Sequence, residues 1–307
     1  MVVPTYKRRD SLARLFDSVV RQDRLPDEIL VVDASPEDDT ERMLKMHPSA
    51  LSLRDRTKYW RVSGPLAGLT RQKNFALRHV STDLVAFFDD DIVLGEGCLR
   101  EMEQVLRREP HHIVGVGCFT TRETAPGPLW RLRRRLGVVP SLQAGTYARS
   151  GISIPWHFQP SRAPIVEGDW LPGCAQLVRT AAAHETGFEE NFGGYAQGED
   201  LDFSLRLRAK GKLVIARAAR LEHLCDPGGR PNAYRVGYME LYNRYHIHRR
   251  STPGRGWRDA AWFAYAWAVD TLLLVRHARS PREWGPMMKQ IAGRMAAAGT
   301  LLKKEML

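Results

Sequence analysis

Five apolar residues, Leu84-Val85-Ala86-Phe87-Phe88, run straight into three carboxylates, Asp89-Asp90-Asp91. An apolar run of that length with aromatic and β-branched members predicts a buried strand, which puts the acids at its exit. Three adjacent carboxylates repel one another, and a cation among them removes that cost. Oxygen ligands suit Mg²⁺ or Mn²⁺, which take one or two carboxylates and fill their other positions with water and phosphate oxygens. In open α/β sheets, ligands gather at the carboxyl ends of strands. The pattern therefore points to a metal–diphosphate site. An acidic surface turn is the competing reading, and the buried strand in front weighs against it.

A second acidic knot, Gly198-Glu199-Asp200-Leu201-Asp202, opens a predicted helix. Acids at a helix start are ordinarily stabilising and are kept ionised there, so a base at Asp200 needs burial or a pocket to raise its proton affinity. His223 ends a short apolar strand; it reads equally as a structural residue or as the imidazole completing an Asp-plus-His octahedral site. Asp33 closes the strand Glu28–Val32, where a carboxylate either caps the next helix or accepts hydrogen bonds from a base or ribose. Gly68-Leu69-Thr70-Arg71-Gln72-Lys73-Asn74 puts glycine at a helix entry with two cations in the first turns, a weak phosphate signal. Neither a P-loop nor a Gly-x-Gly-x-x-Gly dinucleotide motif comes after the first strand.

The elements that must position these residues alternate. A strand at Met1–Pro4 leads to a helix bearing Leu12, Leu15, Phe16, Val19 and Val20 at helical spacing, with Asp10 as its cap. Next come a helix over Asp38–Met46, a weak strand at Lys58–Val62, a helix carrying Leu69, Lys73, Ala76 and Val80, and a strand at Leu84–Val93. A helix near Gly97–Arg108 and a strand at Ile113–Phe119 complete a βαβα pattern, the signature of a mainly parallel sheet between helices. Residues 120–165 lose periodicity and read as a partly mobile surface excursion. Structure resumes at Val166–Val178, with a helix from Glu199 to Lys210 and short strands at Leu213–Ala216 and Leu221–His223. The tail from Ala233 is helical in pattern. Its tyrosines 234, 238, 242 and 245 read as helix packing. Ala260–Val275 is apolar except for Asp270, too short and interrupted for a membrane span but suited to a buried or interfacial helix.

The 307 residues are 43% hydrophobic and 26% charged, an ordinary globular composition, with a formal charge of +11. Residues 226–307 carry fourteen Lys/Arg against six Asp/Glu, and residues 120–165 carry seven Arg against one Glu, so the remainder sums to −3. Positive charge confined to an excursion and a tail suits an anionic membrane surface or anionic substrate better than a nucleic-acid-binding core. Cys98, Cys118, Cys174 and Cys225 have no paired spacing, which points away from a zinc site or disulfide framework and toward a reducing compartment. No signal peptide is visible in the opening residues.

Taken in order, Val3-Pro4-Thr5-Tyr6, Val31-Val32-Asp33-Ala34-Ser35, Gly68 through Asn74, Phe87 through Asp91, Trp170-Leu171-Pro172-Gly173-Cys174, and Gly198-Glu199-Asp200 with His223 resemble the inverting family-two nucleotide-sugar glycosyltransferases of GT-A fold. The match runs over about residues 1–225. The family's triple-Asp motif is complete, its Ala-Arg-Asn motif is replaced by Gln72-Lys73-Asn74, and its usual Asn-Gly after the second-strand Asp is replaced from Ala34 on. The resemblance implies a Rossmann-like mixed, mainly parallel α/β sheet flanked by helices, with a helical C-terminal appendage. It implies a catalytic region 1–230, made of a nucleotide-sugar half (1–119), the basic insertion 120–165 and an acceptor half (166–230), followed by a helical region 231–307.

It further implies a hexosyl or deoxyhexosyl group moved from a nucleotide-diphosphate sugar to a glycan or lipid-linked hydroxyl, as in cell-surface polysaccharide assembly. Pro4, Thr5, Arg8, Asp33, Gly68, Lys73, Asp89 and Asp90 would bind the donor. Asp91, with Asp89 and His223, would hold Mg²⁺ or Mn²⁺. Asp200, or else Glu199, would be the base, and Trp170, Gly173 and Cys174 would line the acceptor side. The expected location is cytoplasmic and peripheral on the inner membrane face, with no nucleic-acid partner. Two rivals are a nucleotidyltransferase, which needs a Gly-rich basic signature after the first strand, and a basic nucleic-acid-binding protein using Arg131–Arg135.

Overall fold

The computed structural model describes residues 1–108, 112–120, 124–158, 162–251, 256–277 and 280–305. They form two compact units. The first comprises Met1–Glu123, Pro160–Tyr195 and Glu199–Gly229; the second comprises Thr124–Gln159, Ala196–Gly198 and Arg230–Leu307.

The first unit is built on a mixed nine-stranded sheet: β1 (Val2–Thr5), β2 (Ile29–Asp33), β3 (Thr57–Arg61), β4 (Leu84–Phe88), β5 (Ile92–Leu94), β6 (Ile113–Thr120), β7 (Ile165–Gly168), β8 (Ala175–Arg179) and β9 (Lys212–His223). Their order is β3-β2-β1-β4-β8-β6-β9-β5, with β7 also on β9. Pairing is parallel through β3-β2-β1-β4 and between β6 and β9, and antiparallel where β8 enters between β4 and β6. This is a mixed α/β, Rossmann-like architecture. Its helices are α1 (Arg9–Val19), α2 (Asp39–Met46), α3 (Pro48–Ser52), α4 (Leu69–Leu77) and α5 (Cys98–Arg108). The second unit supplies α6 (Pro128–Arg135), and the first adds α7 (Thr180–Thr186) and α8 (Glu199–Leu207).

Successive side chains of a strand face opposite ways, and the central strand β4 uses both. Phe88 joins the core made with Leu12, Leu15 and Phe16 of α1 and Met102 of α5. Phe87 turns to the other face, where its ring meets Phe188 at 4.9 Å and Phe203 at 6.0 Å between centroids. A strand buried on both faces has to be apolar throughout, which is why Leu84–Phe88 carries no polar residue.

The structure departs from the sequence reading in five places. Leu84–Val93 is two strands, not one: the chain turns at Asp89–Asp91 and β5 pairs with β9. Leu213–Ala216 and Leu221–His223 are one strand, carried past Arg217 by a register shift opposite Cys118 and Phe119. Asp10 does not cap α1; the cap position is Arg8, and Asp10 accepts from Arg9. The helix begun at Glu199 ends at Leu207, and a 3₁₀ turn covers Arg208–Lys210. The stretch read as a loose excursion carries α6 and buries Val138, Val139, Ile154, Trp156 and Phe158. Irregular chain has no period, so the pattern test missed that core; residues 121–123 and 159–161 lie outside the described residues. Spacing also gave no sign that Cys98 and Cys118, both free, sit 3.4 Å apart between α5 and β6.

The second unit contains α9 (Ala233–Ser251), α10 (Trp257–Leu274) and α11 (Pro281–Glu305) besides α6. Asp270, the one charged break in the apolar run, is buried in α10. It accepts from Arg133 Nε at 2.7 Å and Arg294 Nη1 at 3.0 Å, and Arg294 also binds Glu240. None of the described helices is long and apolar enough to cross a membrane.

Candidate active site

Asp89-Asp90-Asp91 occupies the turn between β4 and β5, at the carboxyl end of the central strand. Register fixes what stands beside it. Ile92 pairs with His223 across the β5–β9 ladder, and the Leu224 N–H donates to the Asp91 carbonyl. His223 Nε2–H thereby reaches Asp91 Oδ1 at 3.1 Å. One ligand atom each from Asp89, Asp91 and His223 lies within 4.8 Å of the others. Two carboxylates and an imidazole at that spacing fit Mg²⁺ or Mn²⁺: a divalent cation in place of the shared proton meets oxygen and nitrogen donors with room for phosphate oxygens.

Asp91 is otherwise fixed by protein donors. Its Oδ2 accepts from the Asp226 N–H at 2.9 Å and lies 3.3 Å from Arg8 Nη1. Burial raises its pKa, but the His223 hydrogen bond and the His223 and Arg8 charges outweigh burial and hold it below the usual range. Asp90 is buried and shares the Arg8 guanidinium with Asp91. It accepts from Thr5 Oγ1 at 2.6 Å and Arg8 Nη1 at 3.0 Å, and burial lifts its pKa to about 7 despite those partners. Burial likewise pushes the Asp89 carboxyl upward, against the pull of Lys73.

A dipeptide joins this turn to the second acidic knot. Asp89 N–H donates to the Cys174 carbonyl, and Gly173 N–H donates to Asp200 Oδ2, each at 3.0 Å. A methyl group at Gly173 would stand 2.9 Å from Asp200 Cβ, closer than carbon atoms pack, so this approach needs glycine. Cys174 is buried, and burial with Asp89, Asp200 and Asp91 around it drives its thiol well above the ordinary range. Trp170 stands partly buried ahead of β8.

Glu199 lies beside Asp200 and behaves differently. Its Oε1 accepts from Lys73 Nζ at 2.7 Å; its Oε2 is buried with no hydrogen-bond partner among the described residues. Lys73 is wholly buried and stands 5.1 Å from the Phe188 ring centroid. Burial opposes its charge, but Glu199, Asp89 and Asp200 prevail and raise its pKa. One ammonium cannot satisfy three carboxylates, so burial, with Asp200 and Asp89 adding to it, leaves the Glu199 carboxyl at about 7.

The residues expected to bind the donor line the neighbouring strand ends. Pro4 and Thr5 end β1, and Gln72 Nε2 donates to the Thr5 and Val32 carbonyls, clasping the ends of β1 and β2. Asp33 is fully buried and accepts from the Ser35 N–H and the Tyr59 hydroxyl. Arg8 donates to Asp90, the Gly228 carbonyl and the Asp226 carbonyl. Gly68 caps α4 at φ 137°, and the next residue's N–H, that of Leu69, donates to the Gly194 carbonyl. Thus Asp89, Asp91, His223, Gly173, Cys174, Asp200, Glu199 and Lys73 form one connected group, and Thr5, Arg8 and Asp90 join it through Asp91. Asp33 is Thr5's partner across the β1–β2 ladder, and Gly68 stands at the start of α4. Asp226 was missed, although Asp226-Pro227-Gly228-Gly229 is a legible turn signal. Its side chain accepts from Ser11 and the Gly228 N–H while its backbone holds Asp91.

A family model described as glycosyl transferase family 2 matches residues 1–169. The GalNAc(5)-diNAcBac-PP-undecaprenol beta-1,3-glucosyltransferase of Campylobacter jejuni is 30% identical over 123 residues, which is 40% of this chain and 38% of that relative's length. The mannosyltransferase PcManGT of Pyrobaculum calidifontis, solved with GDP-Man and Mn²⁺, superposes with a TM-score of 0.57 at 17% identity, over 97% of this chain and 86% of that one. GalNAc-T7, solved with UDP, GalNAc and Mn²⁺, gives 0.57 at 13% identity, over 81% and 49%. At such identities the structures share the fold. The family match takes in β1 through β7 and the whole carboxylate turn, and by it the chain belongs to glycosyl transferase family 2.

Proposed function

We propose that the chain is a metal-dependent, inverting enzyme that moves a sugar from a nucleotide-diphosphate donor to a hydroxyl of a glycan or lipid-linked acceptor. The observation carrying this reading is the Gly173-Cys174 dipeptide, which hydrogen-bonds the Asp89 backbone through one peptide group and the Asp200 carboxylate through the other. A cation-holding cluster and a candidate base are thereby fixed to one short backbone segment. The Mn²⁺ in two solved structures of like fold and the undecaprenol-linked acceptor named for the Campylobacter relative support the metal and the acceptor class.

Asp89, Asp91 and His223 would hold the ion, which supplies positive charge to the departing diphosphate. Asp200 accepts the acceptor hydroxyl's proton as its oxygen bonds the anomeric carbon. The bond from that carbon to the diphosphate oxygen breaks, and its electron pair leaves with the diphosphate. Displacement from the opposite face inverts the centre. Glu199 and Lys73 hold the start of α8, and Arg8, Asp90 and Asp226 hold the Asp91 carboxylate in place. Trp170 offers a ring face to the acceptor.

Two variants test the assignment. Asp91→Ala should abolish Mn²⁺-dependent binding of nucleotide diphosphates, read as loss of the ligand-induced rise in melting temperature. Asp200→Asn should keep that rise and lose transfer by about 10²–10⁴-fold. An Asp200→Asn protein with undiminished transfer removes Asp200 from the role of base.

A further inference from the structure

The second unit carries nineteen Lys/Arg against five Asp/Glu, a formal +14, whereas the first carries −3. Three of those five acids are taken up internally: Asp270 by Arg133 and Arg294, Glu240 by Arg294, and Asp259 by Arg149. Setting those three acids and their three arginines aside leaves sixteen Lys/Arg against two Asp/Glu, still +14.

Against that charge, α11 is apolar on two opposite faces. Met287, Gly293, Ala297 and Leu301 are buried with Arg294 on the inner one. On the outer face Trp284, Met288, Met295 and Leu302 are 47, 54, 63 and 65% exposed, with Ala292 and Gly299 exposed between them. At 3.6 residues per turn these six fall within about 80° of arc. None is charged, and exposed Arg282, Lys289 and Lys303 run along one edge of the stripe.

Helix α10 repeats the design. Trp257, Ala261, Tyr265, Ala268 and Leu272 are exposed at matching spacing, with exposed Arg258 and Arg276 at the edge, while Phe263, Ala266, Asp270 and Leu273 face inward. Scattered exposed apolar residues need no explanation, but two continuous stripes edged by cations do.

We propose that these outer faces of α10 and α11 dock on an anionic lipid surface, the apolar stripes entering the headgroup–acyl boundary and the flanking cations meeting lipid phosphates. A helix apolar along one face with cations beside it is built for that boundary. Self-association fits less well, because it would bring two +14 surfaces together. A nucleic acid would satisfy the cations and leave the tryptophans and methionines without gain. The proposal is independent of the catalytic reading, since it requires no donor, ion or turnover.

Vesicle flotation of the full chain tests it. The wild type should float with phosphatidylglycerol-containing vesicles at low salt, and much less with pure phosphatidylcholine or at high salt. Met288→Glu with Met295→Glu should reduce flotation by roughly tenfold or more, as should Leu272→Glu with Val275→Glu. Both pairs are at exposed positions and should melt as the wild type does. Lys289→Gln should weaken binding mainly at low salt. Wild type that fails to float with anionic vesicles, or glutamate pairs that float undiminished, overturns the proposal. So does a stable dimer in sedimentation velocity that the glutamate pairs dissociate without any vesicle binding.

Discussion

The Lys73–Glu199 contact sets a cation among more carboxylates than it can neutralise, and the consequence is a pH dependence with a definite sign. The Glu199 carboxyl titrates near pH 7 in the folded chain, raised chiefly by burial from an ordinary value of 4.5. Between those values the native state keeps a proton that the unfolded chain has released, so this group's contribution lowers stability as pH rises through the window. The slope is at most about 1.4 kcal/mol per pH unit. In chelator, Glu199→Gln should flatten the decline in melting temperature between pH 5 and 7, and an unchanged profile would place that titration elsewhere. Gly173→Ala probes the neighbouring contact: its Cβ would displace Asp200, and transfer should fall by about 10²-fold with nucleotide binding kept. Much of this was readable in the order of residues. Asp89, Asp91, Asp200 and His223 are all at element ends, and types at element ends are what a sequence displays. The internal partners of Asp33, Asp90, Lys73 and Arg8 were not readable, because a charged residue looks the same in sequence whether it faces a ligand or a buried counter-charge.

Elements pose a different problem, since their packing depends on side chains that are absent. Helices α9 and α11 cross in backbone contact: a Cβ at Gly237 would stand 2.0 Å from the Gln290 carbonyl oxygen, and one at Gly293 would stand 2.0 Å from that of Tyr234. Gly293→Ala must therefore push the helices apart and should cost about 1–3 kcal/mol or more, seen as a lower melting temperature. Gly299→Ala, in the same helix, where an added Cβ meets nothing within 4 Å among the described residues, should instead stabilise by up to about 1 kcal/mol through helix propensity. In α10, Asp270→Ala would take the carboxylate from the buried Arg133 guanidinium and leave Arg294 with Glu240 as its counter-charge, and should cost about 3–5 kcal/mol. Periodicity read the tail from Ala233 as helical without dividing it into α9, α10 and α11. It read Asp270 as a flaw in an apolar run, because its partners come from Arg133 and Arg294, distant in sequence.

At the scale of the whole molecule, charge and chemistry are segregated by unit. The residues assigned to donor, ion and base all lie in the unit of net charge −3, and the stripes lie in the unit of +14. Composition disclosed this division, since the basic blocks at 120–165 and 226–307 stand out by counting alone. Their assembly into one unit was hidden, because the segments joining them have no period to extrapolate. One pairing also has a consequence for biosynthesis. Asp91 and His223 are neighbours only across the β5–β9 ladder, 132 positions apart along the chain. A nascent polypeptide that has emerged as far as β8 still lacks His223, so the proposed ion-holding cluster is incomplete on the ribosome. Competence arrives late, when the closing strand zips into place.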